Sequence, residues 1–230
     1  MNLLSALPGA VAQGLVWGIM AIGVYISYKI LDFADLTVDG SLCTGAAVCT
    51  VLILAGVNPV LAMLAAIVAG FAAGAVTGAL HIVLGIPAIL SGILTQLMLW
   101  SVNLVIMGKA NLALMSRNAG VSVLITQMFT GRSIGILAGI CVMLVGLLYL
   151  FFGTELGCSI RATGCNSAMS RAQGINTNFT KILGLALSNA IVAFSGALLC
   201  QYQGSADINM GRGAIVVGLA AVIIGEAIFS

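Results

Sequence analysis

Between Asp39 and Lys109 the chain carries no charged side chain. A soluble fold cannot cover itself over such a stretch, whereas a helix crossing the hydrocarbon core needs about 20 mainly apolar residues. The interval holds three such helices, punctuated by Gly56-Val57-Asn58-Pro59 and by Gly85-Ile86-Pro87. The remainder keeps the same habit. Eight Lys/Arg and six Asp/Glu make up 6% of 230 residues, against roughly a quarter in an ordinary soluble domain. This excludes a soluble globular domain, a disordered chain and a disulfide-stapled secreted fold. A net charge of +2 offers no footprint for a polyanion, so nucleic acid is excluded as a partner. The solvent of this chain is the lipid bilayer.

Apolar runs near 9–28, 40–56, 59–82, 87–107, 133–152, 180–202 and 213–229 predict seven spans in one transmembrane domain covering 1–230. The first run is too long and uniform for a cleaved signal peptide. The last, Gly213 to Phe229, is apolar apart from Glu226 and reaches Ser230 without a charged flank. Spans usually close on polar or basic residues, which predicts a chain truncated at its C-terminus. Lys29, Arg161, Arg171 and Lys181 fall on one side, Lys109, Arg117, Arg132 and Arg212 on the other, so counting basic residues does not orient the bundle. Small residues four apart, at Gly14/Gly18, Gly70/Gly74/Gly78 and Gly131/Gly135/Gly139, predict close helix packing.

Much chemistry is absent. His81 is the only histidine, which removes H-E-x-x-H and any constellation needing two; at the end of a span it is expected near the lipid–water boundary. None of the three lysines follows the Gly-Lys-Ser/Thr pattern of a P-loop. The six cysteines contain no C-x-x-C, and no metal site or disulfide framework follows from their spacing.

The polar interruptions are informative. In Lys29-Ile30-Leu31-Asp32-Phe33-Ala34-Asp35-Leu36-Thr37-Val38-Asp39-Gly40 the carboxylates fit helical spacing, while the alternation from Ala34 to Asp39 fits extended chain. Asp39 is expected to cap the next helix. The segment is a surface loop or a discontinuous helix lining a polar path, since irregular backbone at membrane depth needs cover from protein or water. Ala206-Asp207-Ile208-Asn209-Met210-Gly211 aligns with Ala34 to Asp39. Five spans lie between the two, which puts the breaks on opposite membrane sides, the parity of inverted repeats meeting at a solute site. The longest hydrophilic stretch runs from Gly153 to Asn176. In it Asn166 is expected to cap a short helix through about Gln173, ended by Gly174. Gln96, Asn103, Asn189, Gln201 and Tyr202 are polar groups within spans; inter-helix hydrogen bonding is their default role, and some of them line a path.

Ile160-Arg161-Ala162-Thr163-Gly164-x-Asn166, followed by Ala172-x-Gly174-Ile175-Asn176, resembles the cytoplasmic coupling region of ABC-importer permeases of the branched-chain amino acid and ribose type. Asp32 to Gly40 looks like that family's pathway motif after its first core helix, and Gly196 to Glu226 is similar to its later core. Within the family, Leu31 to Gly40 and Gln201-Tyr202-Gln203-Gly204-x-Ala206-Asp207 look most like a subgroup linked to tryptophan or tyrosine uptake. Family members continue beyond Ser230, a departure that agrees with a truncated chain.

The resemblance implies an all-α, polytopic transmembrane helix bundle with interrupted helices and a cytoplasmic coupling helix in a coupling loop at 153–180. It implies a multi-pass permease of the bacterial cytoplasmic membrane, importing a small solute, an amino acid and, by the subgroup it looks most like, an aromatic one, and no enzyme in its own right. Arg161, Ala162, Thr163, Gly164, Asn166, Ala172 and Gly174 would couple to the ATPase; Asp32, Asp35, Thr37, Asp39, Asp207 and Asn209 would shape the solute path. Its partners would be cytoplasmic ABC ATPase subunits holding ATP and Mg, an extracytoplasmic substrate-binding protein, and a second permease subunit in a homodimer; no cofactor or metal is expected in this chain. A cytoplasmic 153–180 also puts the N-terminus, Lys109, Arg117 and Arg132 outside. On the residues alone an ion- or proton-coupled secondary transporter using the same carboxylates stays open, while an intramembrane enzyme lacks its catalytic groups.

Overall fold

The computed structural model describes residues 3–114 and 130–229, with side chains apart from those at 3–6, 130, 132 and 229. Helix α1 (Leu3–Tyr25) runs into a π-helical turn (Ile26–Ile30) and stops. Then come α2 (Val38–Leu54), α3 (Pro59–Val83), α4 (Ala88–Met107), a short strand β1 (Asn111–Ala113) and α5 (Thr130–Phe152). Two small helices, α6 (Glu155–Cys165) and α7 (Ser167–Ala172), precede the long α8 (Thr177–Gln203), strand β2 (Ser205–Asp207) and α9 (Ala214–Phe229). Five helical stretches are long and apolar enough to cross a membrane, while α2 and α9 are apolar but shorter. The architecture is the expected all-α polytopic bundle, with all seven apolar runs helical.

Helix α8 is its axis. Its most apolar window is 78% buried, against 11% for that of α5, which explains why α8 carries Ser188, Asn189, Ser195 and Gln201 while α5 is almost wholly aliphatic. On α8, Ser188, Ser195 and Tyr202 donate to the carbonyls of Gly23 (2.8 Å), Val16 (2.8 Å) and Gly9 (3.2 Å) on α1. Both sets step by seven residues, so α1 lies antiparallel to α8 along one polar-stitched seam. In lipid such hydroxyl-to-carbonyl bonds add to packing where the hydrophobic effect between helices is missing.

Of the three predicted small-residue stripes, one makes a helix contact. Gly70, Gly74 and Gly78 of α3 face Ala193, Ala186 and Ile182 of α8; a Cβ on Gly74 would stand 2.8 Å from the Ala186 Cα. Gly14, Gly18, Gly131, Gly135 and Gly139 have no neighbour among the described residues within 4 Å of an added Cβ. The spacing marks a smooth face; which face meets another helix is decided by the global arrangement. The closest α2–α8 approach comes instead from lone glycines, Gly45 against Ala193 and Gly196 against Leu42.

Two local features were not read from the sequence, and one expectation changes. Residues 155–165 form a full helix, hidden in the sequence by Gly157 and Gly164, both poor helix formers. Gly157 lets α6 pack on Phe152, and Gly164 lets it lie on the Ile30 carbonyl. Strands β1 and β2 pair antiparallel, Asn111 with Asp207 and Ala113 with Ser205. Asp39 does not cap its own helix: α2 starts at Val38 after Thr37. His81 is part-buried, with Nδ1 2.7 Å from the Ile86 carbonyl oxygen and its ring edge-on to Phe33.

Candidate functional site

The alignment of α2 on α8 decides where the first break lies. Ser41 hydrogen-bonds Asn189, Gly45 faces Ala193, and Cys49 approaches the Ala197 carbonyl. The constant offset makes α2 parallel to α8 and starts it level with Asn189, about midway along that helix. The chain leaves the π turn with Asp32 at φ +53°, a left-handed conformation that aspartate tolerates better than most residues. Gly92 on α4 admits the returning segment; a Cβ there would be 2.8 Å from the Leu36 amide nitrogen.

The returning segment is held by a buried polar cluster. Asp35, 2% exposed, accepts from the Thr37 amide on Oδ1 (2.9 Å) and from the Asn189 side-chain amide on Oδ2 (2.6 Å). Asn189 also donates to the Leu185 carbonyl at 3.0 Å. The Thr37 hydroxyl meets that of Thr77 on α3 at 2.8 Å. Three helices and the break are thus tied through one carboxylate, as buried polar groups require.

The second break approaches from the other end of the bundle. After α8, Gly204 at φ +72° turns the chain, β2 pairs with β1, and the Asp207 carboxylate accepts from the Asn209 amide (2.7 Å) and the Asn111 side chain (3.2 Å). Gly211 lies against the Asp39 carbonyl group, and the Cys43 thiol donates to the Ile208 carbonyl at 3.1 Å. Helix α9 then starts and runs beside α1, with Gly218 against Met20 and Val24 and with Glu226 paired to Lys29. The two short helices therefore both begin inside the bundle and run in opposite directions. Asp39 joins them: its carboxylate accepts from the Gly213 (3.0 Å) and Ile215 (2.9 Å) amides, satisfying otherwise orphaned donors at the start of α9. Beside this junction a hollow of about 310 Å³ is bordered by Asp39, Gln96, Trp100, Asn103 and Arg212.

The hydrophilic stretch forms a knob at the end of the bundle opposite Gly9 and Tyr202. Asn166 caps α7, accepting from the Ala168 (3.1 Å) and Met169 (3.0 Å) amides, and Gly174 turns the chain at φ +84°. Thr163 bonds Thr180 at 2.9 Å, and the Arg171 guanidinium reaches the Thr177 hydroxyl at 3.1 Å. Arg161, Ala162, Asn166, Ala172 and Gly174 are exposed, whereas Thr163 is buried.

Comparison with known proteins agrees with this arrangement. The family described as branched-chain amino acid transport system / permease component matches residues 7–230. The chain belongs to this family. A tyrosine transport system permease protein of Clostridioides difficile (strain R20291) is 43% identical over 228 residues, 98% of this chain and 75% of the relative. An uncharacterized protein of Rickettsia prowazekii (strain Madrid E) is 37% identical over 96% of this chain and 76% of its own length. A ribose import permease protein of Escherichia coli (strain K12) is 29% identical over 93% of this chain and 66% of its own. No solved structure matches. The chain is a multi-pass permease of the bacterial cell membrane, a transport-system subunit of the sugar and amino-acid type.

Not all residues expected along the solute path of this permease come together. Asp35, Thr37 and Asp39 lie in or beside the first break inside the bundle, and Asp207 and Asn209 reach the same region from the second. Asp32 lies apart. It is exposed at the knob end, in a polar hollow with Thr163, Gly164, Asn166 and Lys181. Of the expected outer-side basic residues, Arg117 lies outside the described residues, as does the Arg132 side chain, while Lys109 stands beside β1 at the end opposite the knob. Asn189 makes the inter-helix hydrogen bonds expected of it, whereas Ser41 and Thr77 were not singled out, because single polar residues in apolar helices carry no motif. A capping role for Asp39 across the junction has a direct test. In an Asp39→Ala permease, deuterium uptake at the Gly213 and Ile215 amides should rise about tenfold, the size of a lost helix cap; Asp39→Asn, which keeps one acceptor, should fall between.

Proposed function

We propose that this permease is the membrane-spanning subunit of an ATP-binding-cassette importer, translocating an amino acid with an aromatic side chain, with ATP and Mg held by separate cytoplasmic ATPase subunits. The observation that carries this is the contact between knob and first break. Gly164 of α6 rests on the Ile30 carbonyl, at the last residue of the π turn and two residues before Asp32 and the segment that leads to Asp35. A force on the exposed face of α6 and α7 therefore reaches the interrupted helices without an intervening loop.

In this mechanism Arg161, Ala162, Asn166, Ala172 and Gly174 face the ATPase, while Thr163 and Gly164 transmit its motion inward. Asp35, Thr37, Asp39, Asp207 and Asn209 shape the path where the breaks meet, and Asp32 acts at the hinge. Closure of the ATPases shifts α6 and the π turn and so moves α2 relative to α9, opening the junction to one side and then the other. The relative named for tyrosine transport supports an aromatic amino acid as solute. An extracytoplasmic binding protein would deliver it to the end bearing Lys109, and a second copy of the permease would complete the membrane part.

Arg161 supplies the test. The permease purified from its host should bring an ATPase with it. In Arg161→Ala, ATP hydrolysis stimulated by loaded binding protein should fall several-fold while membrane insertion and yield stay unchanged. Purification without an ATPase, or full stimulation in the variant, would count against coupling through this face.

A further inference from the structure

We propose that the hollow between α2, α4 and the second break is the subsite where the permease recognises the zwitterionic head of an α-amino acid. This rests on the import reading above and adds Trp100, Asn103 and Arg212 to Asp39, which the resemblance already placed on the solute path.

Three observations carry it. Asn103 is 1% exposed and borders the hollow; its amide nitrogen donates weakly to the Gly40 carbonyl at 3.4 Å, and its Oδ1 has no partner among the described residues. A buried acceptor left open is costly, and a small turn of this side chain would present it to a ligand in the hollow. The Arg212 guanidinium borders the same hollow and makes no ion pair or hydrogen bond with any described residue. Asp39 spends one lone pair of each oxygen on α9 and keeps further acceptor capacity. Trp100 on α4 adds an exposed indole at the rim. A cation, a carboxylate and an open amide oxygen within an apolar helix bundle cannot face hydrocarbon at low cost, so the mouth of the hollow opens on water or protein.

These groups match one chemistry. An α-ammonium donates to Asn103 Oδ1 and Asp39, an α-carboxylate pairs with Arg212, and an aromatic or large apolar side chain lies along Trp100. The volume of about 310 Å³ is at the small end of small-molecule sites. A monosaccharide would satisfy Asn103 and Gln96 but leave both charges unanswered.

The test uses the intact transporter in nanodiscs with Trp17→Phe, read against the same transporter with Trp17→Phe and Trp100→Phe, so that the difference in emission reports Trp100. L-phenylalanine should shift its emission saturably. Phenethylamine, lacking the carboxylate, and 3-phenylpropionate, lacking the ammonium, should each bind at least about tenfold more weakly, the loss expected for one charge-assisted bond. Arg212→Gln, an exposed position with no partner to lose, should abolish the preference for L-phenylalanine over phenethylamine. Asn103→Ala should weaken L-phenylalanine about tenfold. D-ribose binding as tightly as L-phenylalanine, or no saturable shift with L-phenylalanine, would overturn the proposal. So would an Arg212→Gln protein that still discriminates. A transporter that co-purifies with its ATPase yet gives these results refutes the subsite alone; one without an ATPase refutes the importer reading independently.

Discussion

Replacing Asp35 by Leu should lower the stability of the permease by about 3 kcal/mol or more, visible as a fall in the midpoint of thermal unfolding of the detergent-purified protein. The Asp35 carboxylate is the acceptor for the Thr37 amide and for the Asn189 side chain. Removing it strands two buried donors, each at about 1–3 kcal/mol. Asn189 keeps its bond to the Leu185 carbonyl, so α8 itself should stay intact and the damage should localise to the start of α2. Asp35→Asn preserves an acceptor for Thr37 and should cost less. The double variant Asp35→Leu/Asn189→Leu should be less destabilised than the sum of its single variants, because removing both partners leaves fewer groups stranded. An unchanged midpoint in Asp35→Leu would show that the cluster does not hold the break. Solute uptake should be lost in every variant that displaces α2, whether or not Asp35 itself meets the solute.

How much of this was legible follows from where the information sits. The seven apolar runs appear as helices because length and hydropathy are properties of the segment alone. The Asn166 cap and the Gly174 turn were readable for the same reason, being written within eight residues. The parity of the two breaks was also readable, since it needs only the number of spans between them. What stayed hidden depends on which faces meet. Asp39 looked like a cap for α2, and its acceptors are used instead by α9, more than 170 positions away in sequence. Asp32 sat in the same motif as Asp35 and Asp39, yet one left-handed residue turns it toward the knob. Gly131/Gly135/Gly139 had the better-spaced stripe and no helix against it, whereas the isolated Gly45 and Gly196 make the tightest crossing. Asn103 and Asn189 share a composition and a setting; only their partners separate a bonded network member from one with an open acceptor.

That crossing yields the second large effect. A Cβ at Gly45 would stand 2.6 Å from the Ala193 Cα and 2.5 Å from its carbonyl carbon, both backbone atoms that no rotamer change can move. Three residues along α8, Gly196 admits the backbone of Leu42 in the same way, with a Cβ there 3.2 Å from the Leu42 Cα. One glycine from each helix therefore lets the other helix in. Alanine in place of a mid-helix glycine favours a helix by about 0.5–1 kcal/mol, while forcing apart a packed interface costs about 1–3 kcal/mol and sometimes more. For Gly45→Ala the second effect wins, and the unfolding midpoint should fall; Gly45→Leu should leave little folded protein. Gly139→Ala on α5, with nothing within 4 Å, feels only the first effect and should be neutral or stabilising. The contrast reaches function because the depth of α2 against α8 sets where Asp39 meets the start of α9. Gly45→Ala protein that remains folded should exchange the Gly213 and Ile215 amides faster, as Asp39→Ala does, although residue 45 touches neither. Equal midpoints for Gly45→Ala and Gly139→Ala would show that the α2–α8 crossing yields, and that the junction is not positioned by it.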